Sequence, residues 1–80
     1  MKMQRFYFDV YNSEGPARDI EGQLFESRER ASREALRILH DIARDEIPDL
    51  EPVKITVKIR TDGDRNIFEA SLTFTSDWYG

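Results

Sequence analysis

The chain has 80 residues and a formal net charge of −4, with 16 acidic against 12 basic side chains; that length allows one hydrophobic core and excludes a second. With no cysteine and a single histidine, disulfide staples, thiolate chemistry and a structural zinc site are excluded. The acidic balance disfavours binding of nucleic acid or anionic membrane by the chain as a whole.

Met1-Lys2-Met3-Gln4-Arg5 lacks the apolar stretch of a secretory signal, and no apolar run reaches membrane-spanning length. A cytoplasmic protein with no membrane partner is expected. A first strand is expected over Met3 to Tyr11, where Phe6, Phe8 and Val10 alternate with Arg5, Tyr7, Asp9 and Tyr11. Asn12-Ser13-Glu14-Gly15-Pro16 ends it in a turn. A short second strand is expected around Ala17 to Ile20, broken by Glu21-Gly22, with Leu24-Phe25 leading into a helix.

Ser27 is the best N-cap, and the helix should run from Arg28 to Asp45 or Glu46, ended by Ile47-Pro48. Ala31, Ala35, Ile38, Leu39 and Ile42 share one stripe of this helix, and Leu36, Ala43 and Ile47 an adjoining strip with His40 at its edge. That strip is either covered by the loops at Leu24-Phe25 and Leu50 or is an interface. Arg28, Arg30, Arg33 and Arg37 crowd the first half and Asp41, Asp45 and Glu46 the end, against the helix dipole, with Glu29–Arg33 and Arg37–Asp41 offsetting part of the cost.

A third strand should take Val53 to Arg60 and a fourth Asn66 to Thr75, both with period-2 patterning. Two hairpin registers fit. Asp62-Gly63 makes a tight two-residue turn, whereas a loop over Asp62 to Arg65 pairs Ile59 with Phe68 and Lys58 with Glu69; the longer loop is preferred. The expected fold is a single α+β domain over residues 1–80: two layers in the order ββαββ, with a four-stranded antiparallel sheet in the order 2-1-3-4 and one helix on one face. Trp78 and Tyr79 either close the core or dock on a neighbour.

No constellation supports catalysis. Asp62-Gly63-Asp64-Arg65-Asn66 resembles the start of a calcium loop, but Ile67 and Thr73 stand where glycine and a bidentate glutamate are required. Asp9, Asp19 and Glu21 lack an apolar pocket or a nucleophile, His40 has no partner at metal-binding spacing, and no glycine-rich phosphate loop is present. No enzymatic activity, metal or cofactor is expected. Tyr7, Tyr11, Lys54, Lys58 and Arg60 fall together on the open sheet face, a pattern that some modules use to stack single-stranded RNA.

Tyr7-Phe8-Asp9, Asp19-Ile20-Glu21-Gly22, Ala31…Glu34-Ala35, Ala43-Arg44-Asp45-Glu46 and Ser71-Leu72-Thr73-Phe74 come in an order that resembles a family of short bacterial proteins, frequent in rhizobia and related alphaproteobacteria, with a domain of unknown function. The resemblance implies a small intracellular protein without an assigned activity. In layout alone, a short sheet with an acidic-Gly turn before an Ala-rich helix is similar to antitoxins of the HicB type, which inhibit an RNA-cleaving toxin by contact. The expectation is therefore a non-enzymatic interaction or regulatory domain that forms a homodimer through sheet edges or the helix flank Leu36, His40, Ala43 and Ile47. The alternatives are an antitoxin-like module that binds another protein and a sheet-face RNA binder.

Overall fold

The computed structural model describes residues 2–46 and 52–80. Among them the chain forms β1 (Gln4–Asn12), β2 (Gly15–Ala17), β3 (Gln23–Phe25), α1 (Arg28–Glu46), β4 (Val53–Thr61) and β5 (Arg65–Phe74). The sheet is antiparallel in the order β2-β1-β4-β5, with α1 on one face. This is the expected α+β architecture with one strand more. β3 pairs with the first half of β1, Gln4 opposite Phe25, on the same edge where β2 pairs with its second half, Val10 opposite Ala17. The second strand is thus Gly15–Ala17, not Ala17 to Ile20, and Leu24-Phe25 belongs to a strand.

The alternation of β1 and β4 sends Phe6, Phe8, Val53, Ile55, Val57 and Ile59 under the helix, all buried. These bulky side chains, each worth about 1.5–3 kcal/mol when fully buried, fill the space from the sheet side. Mostly small residues therefore suffice on the helix: Ala31, Ala35 and Ala43, with one Leu39, form its buried stripe, an i, i+4 series on one face. Ala43, at 4% exposure, sits in the core and not on the outer strip assigned from the wheel, because the stripe follows the i, i+4 row across the sheet. Ile38 and Ile42 pack half-buried beside it.

Ser27 caps the helix, its Oγ accepting the Arg30 N–H at 3.2 Å and its carbonyl the Ala31 N–H at 3.1 Å. Arg37 binds Glu34 at 2.6 Å and Asp41 at 2.8 Å, while Glu29 is paired with Arg28. Phe25 turns into the core, its ring 6.2 Å from Phe6 and 5.9 Å from Phe8. Leu24 stays half-exposed and leaves the helix flank uncovered. The parts of the cover and flank expectations that concern Ile47 and Leu50 lie outside the described residues.

The last hairpin keeps Ile59 opposite Phe68 and Lys58 opposite Glu69, as the longer loop requires. Its turn is tighter than Asp62 to Arg65, since Thr61 already pairs with Arg65. Gly63 and Asp64 both take positive φ, 80° and 61°, the left-handed conformation that lets a short loop reverse the chain. One residue is then left over on β5, and the register shifts between Ile59 and Arg60 to make Ile67 a bulge.

Candidate functional site

The sheet face opposite the helix is less open than its alternation suggests. The segment between β2 and β3 folds back against it, fixed by Asp19. Asp19 Oδ2 accepts the Phe8 N–H at 3.0 Å, and Oδ1 accepts the N–H groups of Glu21 and Gly22 at 3.1 and 3.0 Å. One carboxylate thereby supplies the β1 edge where β2 has ended and β3 has not begun. The Asp19 N–H donates to Asp9 Oδ1 at 2.9 Å, and its carbonyl accepts from Arg60 at 2.7 Å. Arg60 grips Asp9 with two bonds of 3.0 and 3.2 Å, leaving Asp9 and Arg60 4% and 7% exposed. Asp9 pairs with this arginine and not with a lysine; Lys58 stands opposite it but leans to Glu69 at 3.7 Å.

Gly22 closes the latch. Its φ is +71°, and a Cβ there would lie 2.9 Å from both Arg5 Cγ and the Phe6 carbonyl oxygen. The D-x-E-G spacing thus reads as a structural clasp: the carboxylate binds the edge, and the glycine lets the chain turn back beneath it.

Electrostatics agree with that role. The guanidinium of Arg60 holds the Asp9 carboxyl below its ordinary value, against burial that pushes it up. Burial pushes Asp19 up, but the N–H donors of Phe8, Gly22 and Glu21 outweigh it and leave the carboxyl lowered. Asp9 in turn raises Arg60. Proton donation by a carboxylic acid near neutrality requires the opposite displacement. Among the described residues, no group of three or more His, Cys, Asp or Glu converges to hold a metal.

Of the five residues expected on the binding face, two cation–aromatic pairs form. Arg60 lies 4.6 Å from the centre of the Tyr7 ring, and Lys58 Nζ lies 5.0 Å from that of Tyr11. Lys54 is exposed opposite Thr73 and joins neither pair. Beside them a cleft of about 300 Å³ is lined by Tyr7, Arg18, Ile20, Arg60 and Asp62. Its polar groups are engaged with each other, Tyr7 donating to Asp62 at 3.3 Å and Arg18 bridging to Asp64. The clasp residues Asp19 and Gly22, and Arg18 beside them in the cleft, were absent from the sequence-derived set, although the D-x-E-G spacing was visible.

A second surface lies along β5, whose outer edge has no strand partner among the described residues. Its core-facing Phe68, Ala70, Leu72 and Phe74 are only half-buried, whereas Val53, Ile55, Val57 and Ile59 of β4 are buried. Glu29 and Ser32 of α1 meet Ile67 and Phe68 of β5 around a cavity of about 280 Å³. Leu36, one turn beyond Ser32 and two beyond Glu29, therefore faces the same side and is 42% exposed. His40, the next position of that row, is also exposed. The helix flank and the free sheet edge are thus one continuous surface.

No helix among the described residues is long and apolar enough to cross a membrane. No curated protein and no solved structure matches the chain. A family model, that of a domain of unknown function, DUF6894, matches residues 5–73, nearly all of the ordered fold; the chain belongs to the DUF6894 family.

Proposed function

We propose that the chain is a non-enzymatic interaction domain that pairs with a second copy of itself through the outer edge of β5 and the overhanging helix flank. The observation that carries this reading is that Leu36 and the unpaired β5 edge share one side, so a single contact covers both. Past the Ile67 bulge, the edge from Phe68 to Phe74 contains one charge, Glu69, and no proline. It therefore lacks most of the devices that keep edge strands from pairing.

A two-fold axis through Ser71 sets Phe68 opposite Phe74, Ala70 opposite Leu72 and Glu69 opposite Thr73. Side-chain parity is kept, the two glutamates stay apart, and the bulge remains outside the ladder. Helices cover the core-facing side of both copies, so Leu36 of each is buried near the axis.

Against catalysis stand the lowered carboxylates of the clasp. Against the sheet-face RNA reading stand Arg60 and Lys58, which already cover Tyr7 and Tyr11. The antitoxin-like alternative has layout alone in its favour. Sedimentation equilibrium tests the dimer: the expected mass is twice 9.4 kDa. Ser71→Lys, which sets two ammonium groups together at the axis, and Leu36→Asp should each return the single-chain mass with an unchanged far-UV spectrum. A wild-type chain that stays monomeric at high concentration overturns the proposal.

A further inference from the structure

We infer that residues 75–80 of each protomer are an arm for its partner, and that Trp78 seats in the partner's cavity between the first turn of α1 and the start of β5. This rests on the β5-paired dimer proposed above. Trp78 and Tyr79 are 94% and 101% exposed, so neither closes the core of its own chain. The cavity of about 280 Å³ is lined by the apolar Ile67 and Phe68 and by Arg28. That is just under the size of pockets for small ligands, roughly 300–1,000 Å³, and suits one aromatic side chain. Arg28 supplies a guanidinium for the indole face.

Reach makes the contact intermolecular. The cavity lies at the start of β5, whereas Trp78 follows Phe74 at its end. The six steps from Phe68 to Phe74 alone span roughly 20 Å at about 3.3 Å per residue, and the arm continues away from its own cavity. In the antiparallel pair the direction reverses, and Phe74 of one copy lies beside Phe68 of the other. The residues after it then travel toward Ile67 and Arg65 of the partner. The Ile67 bulge ends regular pairing there and lets the arm leave the ladder.

The single tryptophan is its own reporter. In the wild-type dimer, emission should be blue-shifted and protected from acrylamide, and both signals should be lost on dilution to monomer. Ile67→Glu, on an exposed bulge, should return exposed-indole emission while the mass stays dimeric. A dimer whose tryptophan is as quenchable as free indole overturns the arm and leaves the β5 pairing standing. A blue shift that persists in a monomer at every dilution overturns both.

Discussion

At the scale of the residue, one arginine explains why part of the face opposite the helix is covered. Arg60 was legible as a cation on a strand, but its burial was not. That depends on the pairing of β1 with β4 and on the return of Asp19 across 41 residues of chain. Asp9 and Asp19 both have folded-state pKa values below the ordinary carboxylate value of 3.8. A group depressed on folding stabilises the native state above its unfolded pKa, and that contribution fades as pH falls through the native value. Acid unfolding should therefore begin below about pH 5 and proceed with proton uptake by these two groups. Arg60→Met leaves Asp9 buried without its cation and should lower stability at pH 7 by about 3–5 kcal/mol, the usual loss on breaking a buried pair. In that variant urea stability should vary less with pH between 3 and 5, because Asp9 no longer has a depressed pKa. A pH profile parallel to that of the wild type would remove the pair from the account.

At the scale of the element, the long pieces were readable and the short ones were not. Val53 to Ile59 alternate for seven residues, enough for period 2 to declare a strand. The helix has a serine cap and an i, i+4 row of three alanines and one leucine. β3 has three residues and no pattern of its own; it exists because the Asp19 clasp delivers the chain to the β1 edge, a long-range cause. Likewise, Ala43 was placed on the flank because wheel angles do not reveal where a helix axis crosses the sheet. Gly22 tests the clasp as the maker of β3. In Gly22→Ala the left-handed conformation alone costs about 1–2 kcal/mol, and the new Cβ would meet the Phe6 carbonyl oxygen at 2.9 Å. The expected result is a lower urea midpoint with amide exchange accelerated first at Gln23 to Phe25. Loss spread evenly over β4 and β5 would mean that β3 does not depend on the turn.

At the scale of the whole molecule, the alternating strands and the helix stripe account for one another and leave one side unfinished. Among the described residues, β1 is covered along both edges and β4 lies between β1 and β5, but β5 is paired on one side only. The sequence located its alternation without revealing that the spare helix flank would lie over it. That coincidence depends on Ser32 and Ile67 lining one cavity, which no periodicity contains. If this side is closed by a second copy, folding and association are linked, because the associated state excludes water from Phe68 to Phe74 and from Leu36. The thermal midpoint must then rise with protein concentration, by the mass-action logic that applies to any ligand of the native state. A tenfold rise in protein concentration is worth about 1.4 kcal/mol per dimer, or about 0.7 kcal/mol per chain, and is expected to move the midpoint of a domain of this size by roughly 3–6 °C. Ser71→Lys should abolish the concentration dependence and converge on the midpoint of the dilute wild type, since it removes the partner without touching the buried core. A midpoint independent of concentration in both proteins would assign the half-buried β5 side chains to a stable monomer edge.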